Sequence, residues 1–262
     1  MNTHPFEPSW GEDLPADDAH TIINEFGDTL LIKSAFLGDV PQVGDLLLRA
    51  MPEDLEIENV FGFTALTRAA MAGADEIVRL LLSRGASPDH SDKEGMTPLL
   101  WATTRQHLDV MMSLLKHGAD VNARSRHGSS ALHEAALRGY NQAIDVLVSH
   151  GGHVNVSTHQ GWTPLMQALR KRHFSTAWKL IGLGADVTAA DKHGMTVLTF
   201  GVKTGDPHMV QEMLRRGADP NTRNHQGHCA LKEAELRGNP IITAILRNAI
   251  FQRAMTQNES HP

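Results

Sequence analysis

A glycine returns at a nearly constant interval along this chain, and that interval constrains the fold more than any other feature. The glycines are separated first by 35 residues and then five times by 33, at Gly27, Gly62, Gly95, Gly128, Gly161, Gly194 and Gly227. A fixed period of this length is typical of stacked repeats, in which each unit buries its apolar face against its neighbours. We therefore expect one elongated repeat array in these 262 residues rather than several globular domains.

The residues around each glycine carry the same local signals. A residue that can bond its own backbone in a turn stands three positions before it, and a threonine or serine stands two positions after it in six of the seven units. A leucine lies four residues after every one of these glycines, and in five units a second glycine lies eleven residues after the first. A second apolar run, such as residues 76–82, follows. The pattern predicts two short helices per repeat, the first ending at a glycine.

These segments resemble the ankyrin repeat. Residues 95–99 (GMTPL) and 118–123 (GADVNA) are close to the family's pattern, and the resemblance covers about residues 24–250. It implies an all-α solenoid of stacked helix-turn-helix repeats with short β-hairpin or turn fingers, whose units start near residues 24, 59, 92, 125, 158, 191 and 224. It also implies a scaffold that binds another protein with its hairpin tips and concave helical face.

The two ends of the chain depart from the repeat. Residues 1–20 contain three prolines and five acidic residues, and we expect a segment that is disordered or draped over the first repeat. Its aromatic residues, Phe6 and Trp10, either fix the segment to that repeat or form a docking motif for another protein. The array itself is expected over residues 21–255, with a final helix from about Pro240 to about Met255 and a fraying tail at 256–262.

The composition argues against several classes of partner. The chain has 24 Lys and Arg against 30 Asp and Glu, so general binding to nucleic acid or to a membrane surface is not expected. A single cysteine cannot form an internal disulfide and fits a reducing, cytoplasmic compartment. Export without a cleavable signal, for example as a delivered effector, stays open. We expect a chain that is monomeric alone and has no small-molecule substrate.

The residue directly after the repeated glycine lies at the tip of each predicted finger. Four of the seven tips carry a large apolar side chain: Phe63, Met96, Trp162 and Met195. Apolar side chains at exposed tips lower solubility unless something covers them. Either each packs on the adjacent tip, or the four form a row of hot spots for a partner protein.

A second free position lies at the end of the first helix of each repeat. It holds Arg105, Arg138 and Lys171, and Arg170 and Lys203 stand one position before it. Helices of neighbouring repeats pack about 8 to 10 Å apart, so the first three would form a cationic ladder, either a solvated face or a contact for an acidic partner.

Gln106 and Arg172 replace the second glycine of their repeats. A left-handed residue other than glycine costs about 1 to 2 kcal/mol. Either these two turns differ locally, or a basic middle is tolerated there for another reason.

The sixteen histidines raise the question of a metal site. The resemblance assigns structural positions to His107, His133 and His173, and the tip histidines stand singly on separate fingers, where zinc ligands rarely converge. The segment 201–204 (GVKT) lacks the second glycine of a phosphate-binding loop. We therefore expect no catalytic residue, no cofactor and no metal. The alternative is an enzyme, or a metal- or pH-responsive protein, built on the cationic ladder and on the histidines of the groove, that is, of the concave helical face.

Overall fold

The computed structural model describes residues 19–259 of the chain. Within that range the protein is all-helical, and the only β-structure is two isolated bridges, between Ile22 and Thr29 and between Ala190 and Thr196. A 3-10 helix spans Pro52–Glu56. The α-helices are α1 (Leu30–Leu37), α2 (Val40–Arg49), α3 (Ala65–Ala72), α4 (Asp75–Ser83), α5 (Pro98–Arg105), α6 (Leu108–Lys116), α7 (Ala131–Arg138), α8 (Asn141–Ser149), α9 (Pro164–Arg170), α10 (Phe174–Gly182), α11 (Val197–Thr204), α12 (Pro207–Arg215), α13 (Ala230–Leu236) and α14 (Pro240–Glu259).

The predicted pair of short helices is present in each of the seven repeats. The last helix differs from the expectation, because α14 continues four residues beyond Met255 to Glu259. The expectations for residues 1–18, including Phe6 and Trp10, and for residues 260–262 lie outside the described part of the chain.

The chain divides into two compact units. The first contains α1–α6 and ends at Arg126, with Ser149–Gly151 added from later in the chain. In it the first helices of successive repeats (α1, α3 and α5) pack side by side, and so do the second helices (α2, α4 and α6). The second unit contains α7–α14 apart from Ser149, and in it α7, α9, α11 and α13 form the row of first helices.

In each repeat, the first helix begins directly after the residue that stands two positions after the repeated glycine. The Thr163 hydroxyl accepts a hydrogen bond from the Met166 N–H at 3.3 Å, and Pro164 fills the first helical position, where a missing N–H costs nothing. The same threonine cap is present at Thr29, Thr64, Thr97 and Thr196. The leucine two positions after the cap residue is buried in the first six repeats and half-buried, as Leu231, in the last.

The first helices end in the left-handed conformation even where glycine is absent. Gln106 has a φ of 64° and Arg172 a φ of 61°, close to the 76° of the glycines Gly38 and Gly139 at the same position. The turns at Gln106 and Arg172 therefore keep the shape of the others.

Backbone hydrogen bonds join the finger of one repeat to the finger of the next. In the second unit the Lys192 N–H donates to the Gln160 carbonyl at 3.0 Å, and the His225 N–H donates to the His193 carbonyl at 3.0 Å. In the first unit the Lys93 N–H donates to the Phe61 carbonyl at 3.1 Å. These bonds fix the register of the tips, which carry the candidate site.

Candidate functional site

The tip residues are held by the turn residue four positions before them. The Met195 N–H donates to the Asp191 carboxylate at 2.9 Å, and the Trp162 N–H donates to the Thr158 hydroxyl at 3.2 Å. Met96 is held by Asp92 in the same way, at 2.9 Å. Met96, Trp162 and Met195 are half-buried, so each retains surface that a partner could contact.

Phe63 differs from this expectation, because only 2% of its surface is exposed. Its ring meets the indole of Trp101 edge to face, with the centroids 5.9 Å apart, and lies 5.7 Å from the ring of Phe61. Phe63 therefore packs on neighbouring aromatic side chains and, unlike the other three apolar tips, is buried in this structure.

In the second unit, Trp162 lies in a group of two aromatic and two cationic side chains. Its ring is 5.2 Å from that of Phe200, which is buried. The Arg170 guanidinium lies over the Trp162 ring at 4.9 Å, and the Lys203 ammonium lies 5.7 Å from the Phe200 centroid. Arg170 is exposed and Lys203 is half-buried. We call Trp162, Arg170, Phe200 and Lys203 the Trp162 cluster.

The first unit holds a related group, which we call the Phe63 cluster. It contains Phe26, Phe36, Phe61, Phe63, Arg68 and Trp101. Trp162 follows Phe63 by 99 residues, which is three repeats, and Phe200 follows Trp101 by the same number. In both clusters, therefore, the aromatic residue at the tip packs on the first helix of the next repeat. Trp101 is also fixed by a hydrogen bond from its indole N–H to the Asp92 carboxylate at 2.8 Å.

Sequence reasoning missed the helix position that Arg68, Trp101 and Phe200 share. It lies six residues after the repeated glycine, two residues beyond the buried leucine. Two residues are a rotation of about 200° on an α-helix, so this side chain leaves on the face opposite to the leucine. An aromatic residue in this position was a signal available in the sequence.

Arg68 is a buried arginine in the middle of the Phe63 cluster. Its guanidinium lies 4.2 Å from the centroid of Phe36 and 5.5 Å from that of Phe63. Burial lowers the pKa of Arg68 from its usual value, the charge of Asp28 raises it, and the charge of Arg105 lowers it further. The cation is thus stabilised by ring faces and by Asp28 rather than by water.

The predicted cationic ladder is distributed over both units, and its members differ in their surroundings. Arg105 is half-buried in the first unit and contributes a like charge near Arg68. Arg138, in the second unit, lies 3.7 Å from the Glu134 carboxylate, one turn earlier on α7. Lys171, in the same unit, is exposed. Because Glu134 neutralises part of the charge of Arg138, Lys171 and Arg170 are the more available cations.

Three histidines join one repeat to another. The His107 imidazole donates from Nε2 to the Met71 carbonyl at 3.1 Å, and its ring lies where a side chain at Gly73 would stand, 2.6 Å from an ideal Cβ. His173 repeats this arrangement with the Leu137 carbonyl at 3.1 Å and with Gly139. The third, His133, donates from Nε2 to the backbone carbonyl of Trp162, the tip residue of the next finger.

Within residues 19–259, no three His, Cys, Asp or Glu side chains are grouped so that they could hold a metal ion. His90 lies between two carboxylates instead, 3.0 Å from Glu56 and 2.9 Å from Glu58. Over the same residues, no helix combines the length and the apolar character needed to cross a bilayer.

Comparison with known proteins finds relatives whose sequences match only part of this chain. A mouse (Mus musculus) 2-5A-dependent ribonuclease is 35% identical over 102 residues, which are 39% of this chain and 14% of the ribonuclease. The glycerophosphocholine phosphodiesterase GDE1 of Candida albicans is 37% identical over 94 residues, 36% of this chain and 8% of that protein. The chain therefore spans only a small part of the length of either relative.

Solved structures match over most of the chain. The ankyrin repeat domain of Bcl-3, a member of the IkappaB protein family, has a TM-score of 0.75 and 28% identity, and the match covers 85% of this chain and 100% of that domain. The human ASB11 ankyrin repeat domain has a TM-score of 0.70 and 23% identity, with 85% and 98% covered, and supports the fold alone.

The family comparison agrees with these structures. Ankyrin repeats generally form protein-protein interaction modules, and the fold is typically non-enzymatic. The profile for three copies of the ankyrin repeat matches residues 30–125 and 123–191, and the profile for a single repeat matches residues 193–225. These matches cover well over half of the chain, which therefore belongs to the ankyrin-repeat family.

Proposed function

We propose that this protein is a non-catalytic adaptor, inhibitor or neutralising partner that binds an acidic surface of another protein through the Trp162 cluster. The observation that carries this proposal is the pair formed by Trp162 and Arg170, whose guanidinium lies 4.9 Å from the ring centroid. Trp162 is half-buried, Arg170 is exposed, and Met195 and Lys171 are further candidate contact residues within the second unit. In the first unit, Met96 and Arg105 are separate candidates for contact with a partner.

The chemistry of the cluster favours an acidic partner. Tryptophan and arginine are among the residue types enriched in interface hot spots, because they combine a large apolar area with directional polar groups. Arg170 already rests on the Trp162 ring, so little side-chain entropy is lost when its outer N–H groups meet a carboxylate. Among the residues that the structure describes, its side-chain hydrogen bond is to the neutral Gln167, at 3.1 Å. The charge of Arg170 is therefore available to a carboxylate of the partner.

The net charge of the whole chain supports the same conclusion. A cationic patch on a chain with a formal charge of −6 orients an acidic partner toward that patch and repels it elsewhere. The single cysteine favours the reducing cytoplasm as the place where this binding occurs.

The experiment is affinity capture from a cytoplasmic extract, with the wild type beside the double variant Trp162→Ala/Arg170→Ala. Trp178→Ala is the matched control, since Trp178 is a tryptophan on α10, outside the Trp162 cluster, with 38% of its surface exposed. We expect one or a few proteins that the wild type and the control retain and that the double variant loses. Equal capture by all three chains, or loss only with Trp178→Ala, would refute the assignment to the Trp162 cluster.

A further inference from the structure

Equivalent positions in the two clusters differ in burial. Phe63 and Arg68 are each only 2% exposed, whereas the residues 99 positions later, Trp162 and Gln167, are half-buried. Phe63 is a finger-tip residue, and the tips from Met96 onward all retain exposed surface. Phe63 and Arg68 are therefore covered to a greater extent than their positions in the repeat require, while Phe26, Phe36, Phe61 and Trp101 stay half-buried.

The surface around Phe63 suits an acidic and aromatic occupant. Phe26 and Phe61 stack with their centroids 6.0 Å apart, and the row of rings continues through Phe63 to Trp101. Positive charge is supplied by Lys33 on α1, Arg68 on α3 and Arg105 on α5, the first helices of the first three repeats. Asp28, the anion that raises the pKa of Arg68, accepts hydrogen bonds from two asparagine amides. A buried guanidinium is stable only with counter-charges and ring faces around it.

The described chain begins next to this surface. Ala19 is only 2% exposed, and the Thr21 carbonyl accepts a hydrogen bond from the Leu30 N–H at 3.0 Å. Asp28 lies in that same first finger, and its carboxylate bonds the Asn59 amide of the second repeat at 2.8 Å. The 18 residues before Ala19 can span up to about 60 Å when extended, so every ring of the Phe63 cluster is within their reach.

The chemistry of residues 1–18 is complementary to that of the surface. They contain no Lys or Arg and five acidic residues, Glu7, Glu12, Asp13, Asp17 and Asp18. They also contain two aromatic residues, Phe6 and Trp10, four positions apart.

We propose that residues 1–18 bind the Phe63 cluster of their own chain as a built-in ligand, with Phe6 and Trp10 on the aromatic row and the acidic residues facing Lys33, Arg68 and Arg105. A protein that binds the Phe63 cluster must then displace this segment, and one that presents an acidic stretch with aromatic residues has the chemistry to do so. This inference concerns a different surface from the proposed function, and it holds whatever binds the Trp162 cluster.

The test is hydroxyl-radical footprinting of the full chain, read by mass spectrometry at each aromatic residue. The variant is Phe6→Ala/Trp10→Ala, and Ser9→Ala is the matched control within the same segment. Trp162 is an internal reference, since it occupies the position equivalent to Phe63. A synthetic peptide of residues 1–18 is then added to the double variant, beside a peptide in which Phe6 and Trp10 are alanine.

We expect a severalfold rise in oxidation of Phe63 and Trp101 in the double variant, with Trp162 unchanged, and no change in the control. The peptide of natural sequence should restore protection, and the alanine peptide should not. Unchanged oxidation of Phe63 and Trp101 would overturn the proposal. An equal rise at Trp162 would contradict a contact confined to the first unit. Protection that is lost on dilution of the wild type would show that the segment binds a second copy and would overturn binding within one chain.

Discussion

The imidazole Nε2 of His133 donates a hydrogen bond to the backbone carbonyl of Trp162, with 2.8 Å between the two atoms. The other ring nitrogen, Nδ1, accepts hydrogen bonds from the backbone N–H and the hydroxyl of Ser130, at 3.2 and 2.9 Å. A carbonyl can only accept and a backbone N–H can only donate, so these bonds require the neutral imidazole with its proton on Nε2 and none on Nδ1. The finger tip that carries Trp162 is thus held by the first helix of the preceding repeat.

Removing this imidazole should destabilise the second unit. His133 is fully buried, and His133→Ala leaves the Trp162 carbonyl without this donor and the Ser130 N–H at the start of α7 without this acceptor. We expect a loss of about 1 to 3 kcal/mol in the free energy of unfolding, measured by urea denaturation. His159→Ala, an exposed histidine of the following finger, should have no such effect. Equal stabilities of the two variants would contradict a structural role for His133.

Glycine at the two left-handed positions should stabilise the chain. Gln106→Gly relieves a strain of about 1 to 2 kcal/mol but adds freedom to the unfolded chain, so we expect a net gain of up to about 1 kcal/mol. Arg172→Gly should gain less, because it removes the guanidinium that lies 5.4 Å from the ring of Phe174. Thermal unfolding measures both variants.

Gly205→Ala is the reverse control for these substitutions. Gly205 has a φ of 80°, and an added Cβ would meet no atom within 4 Å, so only its backbone conformation is strained by alanine. We expect a loss in this variant. A gain in Gly205→Ala, or a loss in Gln106→Gly, would show that backbone strain at this position does not govern stability.

Trp162 and Met195 should determine how long a captured partner stays bound. Truncating either to alanine should weaken binding by about 2 kcal/mol or more, mostly through faster dissociation, since each loses apolar contact area in the interface. Surface plasmon resonance with the captured partner measures the rates, and Trp178→Ala is the control. An unchanged dissociation rate in both variants would place the interface on another face.

The cations should act on the association rate instead. Neutralising Arg105, Arg138 and Lys171 together should slow association and flatten its dependence on salt, because long-range attraction between charges is screened by ions. The ion pair of Arg138 with Glu134 makes Arg138 the weakest contributor. A second variant with Arg170, Lys171 and Lys203 changed to glutamine should therefore have a larger effect. The same salt dependence in both variants and the wild type would exclude steering by these residues.

Metal analysis of the purified protein tests the interpretation of the histidines. Two of them donate to backbone carbonyls of the preceding repeat, and His133 uses both ring nitrogens within the protein. We expect less than one equivalent of zinc or iron per chain after dialysis against a weak chelator. One equivalent that survives dialysis and whose removal lowers the unfolding temperature would contradict this assignment.

The helices and turns could be predicted from the sequence because their signals are local. A cap such as Thr163 and a turn residue such as Asp191 act on backbone groups within four positions, so one repeat is enough to recognise them. The burial of Phe63 could not be predicted in this way. Phe63 and Trp162 occupy the same position in their repeats, and which of them stays accessible depends on side chains from elsewhere in the chain.

The arrangement of His107 over Gly73 has a consequence for how such a chain can change during evolution. A Cβ at position 73 would stand 2.6 Å from the His107 ring, and His173 restricts Gly139 in the same way. Replacing the histidine of the following repeat by a smaller side chain would remove this clash at either glycine and leave only the strain of its positive φ. We therefore expect each glycine and the histidine of the following repeat to be selected together, and a duplication that copies one repeat without its neighbour separates the pair.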